Sequence, residues 1–222
     1  KGVAIAATHP GPLKDYATIE GGSPRISERV APLIAVPTTA GTGSEVTRVS
    51  VFADANKVKV WAWGEELKPD VAILDPELTV AMPPAVTGGT GLDALVHAIE
   101  AATNKQANPG NDLYCLKAIS LIAANLERAV THPDDIAARG AMLLASCYGG
   151  IGIDNCGTAL AHNISHAVAN LAPIAHGRAT GLAMRATIDW VAIEQLPVGV
   201  HRLSLRHESI TASELGNKGP RA

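Results

Sequence analysis

The sequence changes character at Pro83 and Pro84. Before this pair, short apolar runs alternate with turns rich in Pro, Gly and Asp, a pattern that is typical of strands. The stretch 46–63, which contains the tetrapeptide "DANK", predicts a β-hairpin. The predicted strands lie in the runs 31–39, 46–54, 57–63 and 70–76. The first part of the chain is therefore predicted to have an α/β fold.

Long Ala- and Leu-rich segments with helical spacing follow the proline pair. Because prolines prevent a helix from continuing backwards through them, we place a domain boundary near residue 86. We expect an α/β domain at 1–85 and an all-helical domain at 86–222, with a poorly ordered or truncated tail after about 192. The predicted helices span about 91–103, 111–131, 134–153, 156–171 and 177–192.

Charge and hydropathy exclude several classes of function. The chain has 222 residues, 47% of them apolar, which is enough for a substantial core. Its formal net charge is only -3, and no five consecutive residues carry like charges, so neither nucleic acid nor a membrane surface is an expected partner. We see no secretory leader and no apolar run of the roughly 18–20 residues that span a bilayer, and therefore expect a cytoplasmic protein that acts on small molecules.

Two further features concern the cysteines and the first residues of the chain. Cys115, Cys147 and Cys156 are odd in number and lack CxxC spacing, so we expect buried thiols rather than disulfides or a zinc ribbon. The chain opens at Lys1 in a stretch that already reads as a helix, "KGVAIAA". We therefore expect it to be a piece of a longer protein.

The segment "GTGLDALVHAIEAATN", residues 89–104, places Asp93 and His97 four residues apart in an apolar helical pattern. Residues with this spacing lie on one helix face, so the two side chains can converge on one ligand. The alternative is a helix start in which Thr90 is the N-cap and Asp93 favours the first turn. This segment alone leaves both interpretations open.

A second cluster lies in "ALAHNISHAVANLAPIAHGRA", which contains His162, His166 and His176. The first two again share a helix face, and Pro173 is expected to end that helix so that the next segment returns His176. A lone histidine on an apolar helix is usually structural, but three in surroundings with almost no other charge favour a metal site. Aspartate and imidazoles suit a divalent first-row metal, and a catalytic ion keeps one coordination position open for substrate.

The stretch "AVPTTAGTGSEVT", residues 35–47, joins a strand-like run to a loop rich in Thr and Gly. Hydroxyls and backbone amides in such a loop can hold a phosphate. Gly41 and Gly43 begin a GxGxxG pattern, but Val46 takes the place of the last glycine, and no P-loop lysine follows. An ordinary turn therefore remains an equally good interpretation of this motif.

Taken together, the segments resemble the iron-containing (group III) alcohol dehydrogenase family. The resemblance covers about residues 1–190 and rests on "PTTAGTGSEVT", "DVAILDPELT", "MPP", "TGLDALVHAIEA", "GTALAHNISHAVA" and "HGRATGLAM", in that order. It implies the dehydroquinate synthase-like fold, in which an α/β dinucleotide-binding domain precedes a helical metal-binding domain. The family's GGGS phosphate loop is expected upstream of Lys1, which would leave the dinucleotide-binding domain of this chain incomplete.

The resemblance also implies roles for individual residues. The family's metal ligands match Asp93, His97, His162 and His176, and a further histidine of the catalytic cleft matches His166. The family's cofactor contacts match Thr38, Thr39, Ala40, Gly41 and Lys59, with Leu78 or Thr79 also near the nucleotide.

The implied activity is reversible hydride transfer between an alcohol and NAD or NADP. Fe(II), or alternatively Zn(II), would polarise the substrate oxygen. The expected substrate is a small alcohol, aldehyde or ketone, and the complete protein is expected to be a homo-oligomer, as a dimer. Two alternatives are a zinc-dependent enzyme like glycerol dehydrogenase or dehydroquinate synthase, and a catalytically inactive metal-binding fragment.

Overall fold

A computed structural model describes residues 1–27, 29–54, 58–169 and 171–194 of the chain. An N-terminal part with short strands precedes a helical part, so the expected α/β-then-helical organisation is confirmed. The structure describes the chain up to residue 194, so the predicted tail from residue 195 onward lies outside the described residues. The helices are α1 (Gly2–Thr8), α2 (Pro84–Thr103), α3 (Pro109–Thr131), α4 (Ile136–Cys156), α5 (Leu160–Ala169) and α6 (His176–Glu194). The strands are β1 (Ile34–Ala35), β2 (Val49–Ala53), β3 (Lys59–Trp63) and β4 (Val71–Ala72).

The predicted hairpin is present as the antiparallel pair β2–β3. Its strands alternate faces as the period of two requires, and the pairs Val49–Trp63 and Val51–Trp61 share the outer face. The inner face packs on a small core that contains Ile5, Tyr16, Ile26, Ala62 and Leu67. The turn residues 55–57 of the predicted hairpin lie outside the described part of the chain. The other two predicted strands are shorter than expected, since β1 and β4 pair in parallel over two residues each.

Helix α2 begins earlier than the sequence suggested. It starts at Pro84 rather than near residue 91, because proline is well tolerated in the first turn, where a backbone N–H has no intrahelical partner. Thr90 therefore lies inside the helix, and its hydroxyl donates to the carbonyl of Val86 at 2.9 Å. The interpretation of Thr90 as the N-cap is wrong. Asp93 is also too far along the helix to interact with the backbone N–H groups of the first turn.

Helices α2, α3 and α4 pack on one another around a core rich in small side chains, including Ala94, Ala98, Cys115, Ala118 and Ala145. Helix α4 is long and apolar enough, by length and composition, to span a membrane. More than half of it is buried inside the structure, so packing in the core accounts for its apolar composition. It ends at Cys156, three residues later than predicted, and Gly157 with φ of +78° separates it from α5.

The loop that follows β1 packs its backbone directly against α4. A Cβ atom at Gly43 would lie 2.4 Å from Cα of Gly150, and one at Gly150 would lie 2.5 Å from the carbonyl oxygen of Gly43. Gly43 also has φ of +59°, a conformation that favours glycine. The amide of Gly43 donates to Oγ of Ser146 at 3.2 Å, which fixes the loop over the middle of α4.

The hairpin is joined to α4 through Asp154. This buried carboxylate accepts the backbone N–H of Arg48 at 2.8 Å and the ammonium of Lys68 at 3.0 Å. The guanidinium of Arg48 in turn lies 4.8 Å from the ring centre of Trp63, as a cation–π contact. These contacts hold the outer face of the hairpin opposite the helical part of the chain.

Candidate metal centre and cleft

Helix α2 presents three buried polar side chains to one side. Asp93, His97 and Glu100 are 3%, 5% and 0% exposed, and their spacing of four and three residues places them on the same helix face. Buried polar groups require partners, because removing them from water without a partner costs about 1–3 kcal/mol or more. Their partners come from α5 and the residue before it, from α6, and from the loop after β1.

Helices α5 and α6 bring His162 and His176 to Asp93. Oδ1 of Asp93 lies 3.5 Å from Nε2 of His162 and 3.5 Å from Nε2 of His176. One ligand atom from each of the three residues lies within 4.8 Å of the others, a spacing that can hold a metal ion. The approach of α6 to α2 depends on Gly177, since a Cβ atom there would lie 2.0 Å from the carbonyl oxygen of Gly89.

His97 and His166 lie beside this group of three. The ring of His97 stacks on that of His162 with centroids 4.5 Å apart and planes 13° apart, and its Nδ1 lies 3.2 Å from the carbonyl oxygen of Gly41. The ring of His166 is 5.2 Å from that of His176 and 6.5 Å from that of His162. The structure therefore groups Asp93, His162 and His176, with His97 stacked against one side and His166 towards the cleft.

Glu100 is a site residue that the sequence reasoning missed. Its Oε2 lies 2.6 Å from Nδ1 of His162, and it also accepts the backbone N–H groups of Ala159 at 2.9 Å and Ala161 at 2.6 Å. The available signal was its position three residues after His97, which places it on the same helix face as Asp93 and His97. Glutamates on helices are usually exposed, so that signal was weak.

The facing atoms of this group lack partners. Oδ1 of Asp93 and Nε2 of His162 are buried and have no hydrogen-bond partner among the described residues. Two buried polar atoms without partners that lie 3.5 Å apart can both bind one cation. One carboxylate and several imidazoles form a donor set that suits Fe(II) or Zn(II), so the residues present fit a metal ion.

The electrostatics of the group describe its protonation when no metal is bound. Burial raises the pKa of Asp93, but the surrounding histidines outweigh it and hold that pKa at about 2. Burial lowers the pKa of His162, but its contacts with Asp93 and Glu100 raise it to about 9. Burial and the nearby Lys59 lower the pKa of His176 to about 4, against the opposing effect of Asp93. In the absence of a metal, the group therefore holds a single cation, on His162, at neutral pH.

The group lies in a cleft of about 690 Å³ between the hairpin and the helical part. Lys59, Trp61 and Trp63 from the outer face of β3 line one wall, and the loop residues Thr42 and Ser44 line another part. All five histidine and aspartate side chains of the predicted site line this cleft. It is large enough to hold a small organic ligand.

The predicted cofactor residues occupy different positions relative to this cleft. Lys59 lines it, whereas the others are not among the residues that line it. Thr38 is exposed, Thr39 is half-buried, and Ala40 and Gly41 are buried where the loop meets α2. Leu78 is 46% exposed, and the buried hydroxyl of Thr79 donates to the carbonyl of Pro76 at 2.8 Å. The lining residues Thr42 and Ser44 of the same loop were not predicted.

Comparison with known proteins identifies the family of the chain. Residues 1–76 match the family model of iron-containing alcohol dehydrogenase, and residues 87–195 match that of the Fe-containing alcohol dehydrogenase family, C-terminal. The two matches cover most of the chain. The chain therefore belongs to the iron-containing alcohol dehydrogenase family.

Several bacterial proteins are similar to this chain. The chain is 36% identical to an NAD-dependent methanol dehydrogenase of Bacillus methanolicus, over 100% of this chain and 58% of that protein. It is 40% identical to a 1,3-propanediol dehydrogenase of Klebsiella pneumoniae, over 83% of this chain and 47% of that protein. The crystal structure of a sulfoacetaldehyde reductase from Bifidobacterium kashiwanohense in complex with NAD+ superposes with a TM-score of 0.77 at 37% identity, over 85% of this chain and 48% of that one. The chain thus spans about half the length of these relatives.

Proposed function

We propose that this chain carries the metal site and part of the cofactor site of an NAD-linked alcohol dehydrogenase that interconverts a small alcohol and its carbonyl compound. The observation that carries the proposal is the group formed by the buried Asp93 and His162 and the half-buried His176, which lines the cleft. Relatives that are named as NAD-dependent or were crystallised with NAD+ support NAD as the cofactor.

The metal would be held by Asp93, His162 and His176, with His97 as the fourth ligand. When bound, the ion supplies Lewis acidity that polarises the oxygen of the substrate. His97 can be the fourth ligand because its Nδ1–H donates to the carbonyl of Gly41. In the neutral ring, Nε2 then keeps a lone pair that can bind the metal. We retain Fe(II) as the proposed ion, with Zn(II) as the alternative, because this donor set accepts both.

His166 is proposed to accept a proton from a group in the cleft. Its side chain is half-buried, and burial followed by the nearby His162 and Lys59 lowers its pKa. The imidazole is consequently neutral near pH 7 and can accept a proton from a group in the cleft. Its ring lies 6.5 Å from that of Trp61, so the hairpin closes over this side of the site.

The hairpin wall is proposed to hold the cofactor and limit access of water. Lys59 adds a positive charge to the wall, which suits a ligand that bears phosphates. The wall also has apolar surface from Trp61, Trp63 and Val51. This surface suits a flat ring and excludes water from the place where the hydride is transferred. The loop residues Thr42 and Ser44 contribute hydroxyls on the same cleft.

Anaerobic titration of the full-length protein with Fe(II) or Zn(II), followed by assays of NADH formation from ethanol and 1,3-propanediol, tests the proposal. We expect the metal to raise the melting temperature, because an ion bound only by the folded state stabilises it. We also expect NADH formation to require the metal and to be lost in Asp93→Asn. Metal binding with no NADH formation from either alcohol would support the alternative of an inactive metal-binding protein.

A further inference from the structure

Glu100 is fully buried, and among the described residues the hydrogen-bond partners of its carboxylate are all donors. The carboxylate accepts Nδ1–H of His162 and the backbone N–H groups of Ala159 and Ala161, and the amide of His162 lies 3.4 Å from Oε1. These donors explain why an ionised side chain is tolerated at 0% exposure. We propose that Glu100 is a positioning residue that selects which nitrogen of His162 faces the metal, an inference that rests on the proposed function.

The choice of nitrogen follows from the chemistry of the carboxylate. An ionised carboxylate only accepts hydrogen bonds, so the nitrogen 2.6 Å from Oε2 has to carry a proton. That nitrogen is Nδ1. In the neutral ring, Nε2 is then the unprotonated nitrogen, and it is the one that lies 3.5 Å from Oδ1 of Asp93. Glu100 thereby leaves the lone pair of Nε2 of His162 available to bind a cation.

Glu100 fixes the backbone of His162 as well as its ring. Ala159 and Ala161 lie around the start of α5, where the first backbone N–H groups have no intrahelical partners. One carboxylate oxygen binds the amide of Ala161, while the other binds that of Ala159 together with the ring of His162. The helix start and the orientation of the imidazole are therefore held by the same side chain.

The other two histidines of the proposed site have weaker partners. Nδ1 of His176 lies 3.2 Å from Oγ of Ser165, and Nδ1 of His97 lies 3.2 Å from the carbonyl oxygen of Gly41. Both partners are neutral, whereas a hydrogen bond to a carboxylate is roughly twice as strong. Of the three, His162 is therefore the ligand whose orientation is most firmly set.

The first test compares metal affinity in Glu100→Gln and in the control Glu45→Gln, measured by titration with Co(II) and its visible absorption spectrum. Glu45 is also a buried carboxylate, 3% exposed, but it lies in the loop after β1 and outside the metal group. We expect Glu100→Gln to weaken Co(II) binding roughly 10- to 100-fold and to change the spectrum, with little change for Glu45→Gln. Wild-type affinity and an unchanged spectrum in Glu100→Gln would overturn the proposal.

A second measurement needs no variant. In the Zn(II)-loaded wild-type protein, long-range ¹H–¹⁵N correlation spectra report which nitrogen of each imidazole carries a proton. We expect Nδ1 of His162 to be protonated and Nε2 to be the metal-bound nitrogen. The opposite assignment would overturn the role of Glu100, even if Glu100→Gln fails to fold. Failure of the wild-type protein to bind Co(II) or Zn(II) would instead overturn the proposed metal site itself.

Discussion

Gly177 at the start of α6 lies against Gly89 of α2 so closely that a Cβ atom on Gly177 would be 2.0 Å from the carbonyl oxygen of Gly89. The same Cβ atom would lie 3.3 Å from Cβ of Asp93. Because His176 directly precedes Gly177, this contact sets the distance between His176 and Asp93. The geometry of the proposed metal site therefore depends on a residue that has no side chain.

We accordingly predict that Gly177→Ala pushes α6 away from α2 and weakens metal binding at least tenfold. Gly89→Ala is a matched control, because a Cβ atom at Gly89 meets nothing within 4 Å. It should bind metal normally and gain about 0.5–1 kcal/mol in the free energy of unfolding from its higher helix propensity. Isothermal titration and urea unfolding measure the two effects, and equal metal affinities in the two variants would contradict the prediction.

The two histidines of α5 are predicted to differ in their roles. His162→Ala should lose most of the bound metal, whereas His166→Ala should retain it and lose turnover. The reason is that His162 faces Asp93 at 3.5 Å, while the ring of His166 lies beside that of His176 on the side of the cleft. Elemental analysis of both purified variants tests this difference, and a full metal content in His162→Ala would show that the ligand set is wrong.

Metal affinity should rise with pH. The pKa of His162 is about 9 in the metal-free protein, so metal binding near neutral pH has to displace one proton from this ring. The pKa values of Asp93 and His176, about 2 and about 4, lie too low for either group to release a proton above pH 6. We therefore expect the apparent affinity for Co(II) to increase roughly tenfold per pH unit between pH 6 and 8.5. An affinity independent of pH in that range would contradict this assignment.

The contact between the hairpin and α4 is predicted to contribute to stability. Asp154→Ala leaves the backbone N–H of Arg48 without its acceptor and should lower the free energy of unfolding by about 1–3 kcal/mol. Glu127→Ala, on an exposed position of α3, should change it by less than about 0.5 kcal/mol. Urea unfolding followed by circular dichroism compares the two, and a loss of similar size in both would show that the Asp154 contact adds nothing specific.

Much of the helical part and of the site was predictable from local patterns. Spacing of four residues placed Asp93 with His97 and His162 with His166 on shared helix faces, because the period of an α-helix determines which side chains are neighbours. Short apolar runs on either side of the turn sequence "DANK" likewise predicted the hairpin that contains Val51. Both inferences needed only a few consecutive residues.

The parts that were missed depend on distant segments. The burial of Glu100 results from α5 docking on α2, and nothing near Glu100 in sequence distinguishes it from an exposed helical glutamate. The start of α2 was misjudged because two consecutive prolines suit both a loop and a first helical turn. Of the loop before β2, Thr42 and Ser44 line the cleft while Gly41 turns towards α2, a division that depends on how the loop packs on α4.

The contact between Gly43 and Gly150 limits how this protein can vary. Where two large side chains meet, a larger residue on one side can be offset by a smaller one on the other. Here both positions already hold the smallest residue, and a Cβ atom on either would overlap the backbone of the other. No second substitution at the partner position can therefore restore the contact. The two glycines therefore form a pair that has to be retained together.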